Sequence, residues 1–389
     1  MLFAFIWWLL VAIASRVEMS SLQIPWDNTA SLYILLYFPA CILFGFIPVL
    51  LFPLKPSLEP IKEKSQVHNF LRMLFCIPIA LFFLQSLIYV PPAFNADPSL
   101  ARLEWGFKYI HVATEILVRV GVLACVGVAV TKGRISFGDL CLMLTAETYA
   151  ILVVSRGLIL EFFIYFIFAS VLISNRKYFG FSVRKKHVFS LAMIWLLFVI
   201  YGEWRQGDDF SISQYGGMLF ESHTLAWIFG YFLVNLDNLA LVIMENFHNH
   251  SVTNVFGPIL QSLQILNYKE IDDYLYVGKF NLGTALRPFV IDYGPCLGGF
   301  VFAMLWSLAL LLPNLCYFSS TRFAVIISLA YMSLLFPVTG RIEQPPYLFP
   351  LLLIIFVDRF YWLLTRIHKK AALRSFLGSA KLLLVPAKK

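Results

Sequence analysis

Residues 224–244 read Thr-Leu-Ala-Trp-Ile-Phe-Gly-Tyr-Phe-Leu-Val-Asn-Leu-Asp-Asn-Leu-Ala-Leu-Val-Ile-Met. The number of membrane crossings in this chain turns on that segment. It is long enough to cross a ~30 Å hydrocarbon core, which takes about 20 apolar residues. Its middle nevertheless carries Asn235, Asp237 and Asn238. One Asp at a helix centre costs roughly 2.5–3.5 kcal/mol on insertion scales. We therefore read 224–244 as an amphipathic helix at the extracytoplasmic interface, or dipping into a cleft, and not as a crossing.

Around it the chain is strongly apolar. Of 389 residues, 60% are hydrophobic and 13% charged. A soluble domain is nearer half apolar and a quarter charged, so the excess calls for a bilayer as solvent. The 38 Phe, 18 Tyr and 9 Trp suit a lipid-facing surface with aromatic belts. Candidate spans are 1–17, 31–54, 70–90, 107–130, 137–155, 157–174, 187–203, 293–313, 323–340 and 346–365. The first lacks a basic leader and a small-residue cleavage site, so it reads as a span and not a signal peptide.

The loops alternate in charge. Lys55, Lys62 and Lys64 fall on one side, as do Lys132 and Arg134, the run from Arg176 to Lys186, Arg322, and the tail from Arg366 to Lys389. The intervening loops are mixed or acidic. Basic loops mark the cytoplasmic side, so ten crossings leave both termini cytoplasmic. The net charge of +8 is thereby explained without a nucleic-acid partner. The cysteines at 41, 76, 125, 141, 296 and 316 are scattered, with no CxxC pair and no disulfide framework. The expected fold is an all-α polytopic membrane protein. Residues 1–203 form a seven-helix half, 204–292 a long extracytoplasmic loop with amphipathic helices, and 293–389 three helices with a basic tail. A loop that long calls for a role.

Four arginines lie on the extracytoplasmic side at or near span ends: Arg156, Arg205, Arg287 and Arg341. Each suits either a snorkelling anchor or an anion site, because guanidinium groups bind phosphate bidentately. Arg156 sits in Ser155-Arg156-Gly157, which forces a tight hairpin between two spans. Glu161 follows inside the next span, where a carboxylate is costly unless paired or functional. A salt bridge to Arg156 and a catalytic role are both open to it. Glu115 and Arg119, spaced i, i+4 with His111 one turn earlier, favour an internal ion pair. Asp358 and Arg359 read as anchors at the cytoplasmic interface. Asp292 suits the N-terminus of the helix that follows it, or the orientation of Arg287. His223, His248 and His250 show no metal-ligand spacing, so no metal is expected. One of them, or Glu161 or Glu221, is the candidate general base.

The Ser155-Arg156-Gly157 hairpin and the stretch Arg287-Pro-Phe-Val-Ile-Asp292-Tyr-Gly294-Pro-Cys-Leu-Gly298 resemble motifs of bacterial oligosaccharide repeat-unit polymerases of the Wzy type. The span count and the position of the long loop are also similar. Tyr293 stands where the family often has Phe, and the glycine spacing after Asp292 is one residue longer. The resemblance implies a GT-C-like membrane glycosyltransferase of the inner membrane, working at its extracytoplasmic face without cofactor. Donor and acceptor would be glycans linked to undecaprenyl pyrophosphate, and a chain-length regulator protein would be a further partner. Arg156, Arg205, Arg287 and Arg341 would bind pyrophosphate; Glu161, His223 and Asp292 would be the catalytic candidates. An O-antigen ligase of similar architecture and a glycolipid transporter or flippase are the alternatives. A transporter would show inverted repeats and broken midplane helices, and neither is visible in the sequence.

The topology can be tested without knowing the activity. A single cysteine at Lys279, in a cysteine-free background, should react with a membrane-impermeant thiol reagent added outside intact cells. Labelling only after the cells are opened would mean that 224–244 crosses.

Overall fold

The structure is a computed structural model. It describes residues 2–17, 23–51, 65–95, 105–175, 223–248, 253–262, 284–338 and 344–383, with single positions between them. The expected spans 187–203 and the greater part of the loop 204–292 lie outside these residues. Thirteen α-helices account for the fold, and no strand occurs among the described residues. They are α1 (Leu2–Ala14), α2 (Asn28–Leu32), α3 (Phe38–Phe44), α4 (Ile47–Leu51), α5 (Ser65–Ile88), α6 (Lys108–Lys132) and α7 (Phe137–Leu152). Then come α8 (Arg156–Asn175), α9 (His223–Met244), α10 (Thr253–Ser262), α11 (Arg287–Leu311), α12 (Ser319–Leu334) and α13 (Pro345–Leu383).

Among the described residues, five stretches are long and apolar enough to cross a membrane: Arg72–Phe94, Tyr109–Lys132, Gly157–Ser174, Arg287–Leu315 and Pro345–Leu364. Shorter apolar helices are Ala4–Ala14, Asn28–Phe44, Phe232–Met244 and Ser319–Leu334. The chain is an α-helical membrane protein.

Helix α6 is the hub. Over its middle it packs on α5, α8, α12 and α13, and residues 118–130 are buried almost without interruption. At Gly127 backbone meets backbone, because a Cβ there would stand 2.1 Å from the Ser320 carbonyl oxygen. Small residues let helix backbones meet in this way where no water drives them together.

Between α2 and α3 the helix takes one π turn, Tyr33–Tyr37, in which the Phe38 N–H donates to the Tyr33 carbonyl. Pro39 explains its place. Proline has no N–H to give the carbonyl four residues back, and a wider turn accommodates the gap. Helix α11 is broken at Gly294, which has φ +77° and ψ 167°. Pro295 follows it and caps the break by lacking a donor. The short first segment from Arg287 to Tyr293 folds back so closely that a Cβ on Gly298 would lie 2.5 Å from the Phe289 carbonyl oxygen. The span expected at 293–313 thus starts six residues earlier and is interrupted.

Helix α9 decides between the two places expected for 224–244. Leu233 to Ala240 are all buried, including Asn235, Asp237 and Asn238 at 0% exposure. A helix lying on an interface would leave its polar face wet. Here the polar groups have protein partners: the Trp26 indole N–H donates to Asp237 Oδ1 at 2.6 Å, and Asn235 Nδ2 donates to the Val338 carbonyl at 3.0 Å. The cost assigned to an isolated Asp in lipid therefore does not apply, and the segment lies inside the protein, nearer the cleft than the surface.

Gly127→Ala should cost about 1–3 kcal/mol, the usual range for overpacking, and lower the unfolding temperature of the purified protein. Gly157→Ala, where a Cβ meets nothing within 4 Å, should leave it unchanged.

Candidate functional site

One cluster of buried polar residues surrounds Arg119. Arg119 is 3% exposed in the first half of α6. Its Nε donates to both carboxylate oxygens of Glu161 at 3.1 Å, and its Nη1 donates to Glu115 Oε2 at 3.3 Å. The Tyr165 hydroxyl donates to Glu161 Oε1 at 2.6 Å. The guanidinium also lies 4.7 Å from the Tyr347 ring centre, and Tyr347 and Tyr165 both pack on Tyr331. His111 Nε2 closes the far side at 3.5 Å from Glu115. The expected Glu115–Arg119 pair is therefore present.

For Glu161 the ion-pair reading is the one the geometry favours, with Arg119 as a partner that sequence spacing could not supply, since it is 42 residues away. A carboxylate at 0% exposure with both oxygens held is poorly suited to take a proton from substrate.

The next layer joins through the end of α12. Asn235 bonds to Val338, and the Ala285 N–H donates to the Phe336 carbonyl at 2.9 Å. Helix α9 and the segment leading into α11 thus grip the same short turn. Two residues on from Ala285, Arg287 opens the broken helix at 5% exposure. Asp292 ends that segment, and its role differs from the cap expected for its own helix. It accepts from Asn254 N–H at 3.0 Å, Asn254 Nδ2 at 2.7 Å and Val255 N–H at 2.9 Å. These are the first free N–H groups of α10, so Asp292 caps a helix 38 residues earlier in the chain. A carboxylate is favoured there by the helix dipole. His248 packs beside the break, its ring 4.0 Å from the point where a Gly294 side chain would begin.

The hairpin at Arg156 has the tightness expected of it. Helix α7 ends at Leu152 and α8 begins at Arg156. Between them Val154 adopts φ +56° while fully buried. A β-branched residue in the left-handed region is strained, and such strain gathers where geometry is functional. Arg156 is placed at the start of α8 and His223 at the start of α9, but their side chains lie outside the described residues. Arg205 and Arg341 lie outside them entirely. The structure therefore joins Glu161 to Arg119 and places Arg287 and Asp292 on one short segment; the four-arginine cluster is neither assembled nor dispersed by the described residues.

Sequence reasoning missed Tyr165, Tyr347, Asn254 and Trp26 as partners. Only the Asn235-Leu236-Asp237-Asn238 run was a visible signal, and it was read as a barrier to burial. No protein-family model matches the chain, and no curated protein or solved structure matches it significantly.

Glu161→Ala should cost about 3–5 kcal/mol by leaving Arg119 buried without its main partner. Arg119→Met combined with Glu161→Leu should recover much of that loss. Thermal unfolding in detergent measures these and the Arg119→Met single variant; a double variant whose loss is the sum of the two single losses would show that the pair is not coupled.

Proposed function

We propose that this chain is an oligosaccharide repeat-unit polymerase of the bacterial inner membrane, with about ten crossings, a GT-C-like arrangement and both termini cytoplasmic. In this reading it joins glycan units carried on undecaprenyl pyrophosphate at the extracytoplasmic face. The observation that carries the reading is the setting of Arg287. A buried guanidinium at the first turn of a helix faces the positive end of the helix dipole. That segment is also the stretch that resembles the polymerase motif, and Asp292 at its far end caps α10 and so fixes it in place. A guanidinium held at such a break has the planar fork that binds a pyrophosphate bidentately.

The chemistry follows from that charge. The acceptor hydroxyl oxygen bonds to the anomeric carbon of the donor chain. The bond from that carbon to the pyrophosphate oxygen breaks, and the lipid pyrophosphate leaves with the electron pair. Arg287 stabilises the charge that develops on it, with Arg156, Arg205 and Arg341 proposed as further contacts. A fixed cation is most effective against charge that grows in the transition state. The hydroxyl proton passes to a base within hydrogen-bond reach, for which His223 is the proposed candidate. Asp292 holds the broken segment in place, and Glu161 holds Arg119.

The test is glycan length in cells that depend on this protein for their polymer. Arg287→Ala should abolish long chains while single repeats still reach their final acceptor. Arg287→Lys should restore little, because an ammonium lacks the bidentate fork. Long chains at normal protein level would overturn the assignment. Finished long glycan stranded on its lipid carrier would instead identify a ligase.

A further inference from the structure

The opposite end of the bundle carries a second charged surface that the glycan reading does not use. Two acids lie there among the described residues, and both are fully buried. Asp139 accepts from Arg72 Nη2 at 2.6 Å and from the Ser136 hydroxyl. Asp358 accepts from the Tyr317 and Phe318 N–H groups at 2.7 and 3.0 Å and from the Thr321 hydroxyl, capping α12. Neither is left to face outward. The cations at this end are exposed instead: Lys132 and Arg134 after α6, and Arg359 and Arg366 on α13. Residues 360–389 contain no Asp or Glu.

Lys132 and Arg366 share a depth, and Arg359 lies two turns, about 10 Å, nearer the middle of the span. Helices α6 and α13 run parallel: Arg119 meets Tyr347, and further along Ala124 packs in one cluster with Val357. Two more turns carry the chain to Lys132 on one helix and Arg366 on the other. Aromatic rings mark the level, with Arg366 5.1 Å above the Trp362 ring and Trp362 beside Tyr317. Trp and Tyr favour the headgroup zone.

The surroundings of Arg359 identify the occupant. It lies on an α13 face with Phe356, Phe360 and Leu363, which are 65%, 48% and 48% exposed. Side chains that apolar and that open face acyl chains. An arginine among them must run along that surface and place its head at the phosphates. A soluble acidic protein would have to bury those rings against polar surface, which favours lipid over protein.

We propose that Arg366, with Lys132 and Arg134 near its depth and Arg359 reaching up along the lipid-facing surface, holds the phosphate headgroups of anionic phospholipids in the leaflet at this end. Helix α13 continues to Leu383 with Lys369, Lys370, Arg374 and Lys381, extending the cationic run beyond the span. The inference is independent of the glycan reading.

Native mass spectrometry of the detergent-purified full chain, titrated with phosphatidylglycerol or phosphatidylethanolamine, tests it. Wild type should retain phosphatidylglycerol in preference. Each arginine is worth about fivefold in affinity at a membrane surface, so Arg359→Gln with Arg366→Gln should weaken retention roughly 25-fold. Lysine at both positions should restore most of it, and Arg16→Gln at the other end should change nothing. Equal retention by the double variant, equal binding of the zwitterionic lipid, or displacement by inorganic phosphate or polyglutamate would overturn the proposal. If the double variant does not purify, Arg366→Gln alone should still show the fivefold loss, and its absence would count against the site.

Discussion

A charge that cannot reach water must be answered by the protein, and Arg119 is where this fold meets that demand. The guanidinium sits in the helix on which α5, α7, α8, α12 and α13 pack. Its partners come from α6 itself, from α8 and, through the Tyr347 ring, from α13. No two of these helices can shift independently without stretching a charge-assisted bond in a low-dielectric interior. Desolvation makes such a pair a weak source of stability on its own. Its effect is to select one arrangement of helices among many that would bury apolar surface equally well.

The buried aspartates serve the same end at greater range. Asp292, Asp358, Asp139 and Asp237 each accept from a segment distant in the chain, and three of them satisfy backbone or hydroxyl donors at the start of a helix. Helix starts in a membrane protein cannot leave their N–H groups bare, since nothing in the hydrocarbon can bond them. The chain meets that need with carboxylates reaching across, so tertiary contacts take over a task that local capping residues perform in soluble domains.

This explains what was legible beforehand. Long apolar runs such as 107–130, 157–174 and 346–365 appear close to where they were expected, because length and hydropathy are properties of one segment. The Glu115–Arg119 pair was legible for the same reason, being one helical turn apart. Asp292 was readable as a cap but not as a cap for α10, and Glu161 as paired but not with Arg119, because those partners lie 38 and 42 residues away. The break at Gly294-Pro295 was written in plain turn residues, yet the apolar run around it masked the signal. For 224–244 the transfer cost was sound in lipid and misplaced in protein, where Trp26 and Val338 supply the bonds that acyl chains cannot.

The π turn at Tyr33–Tyr37 has a consequence for how the next helix faces. A π turn holds one residue more than the α turn it replaces. Winding the same residues into a regular α-helix would rotate everything after the turn by about 100°. Tyr37, Phe38 and Cys41 now seat around the bare face of Gly299, and Trp8 lies against Phe38. All would turn away together. The wide turn at Tyr33–Tyr37 therefore decides which face of Phe38–Phe44 meets α11.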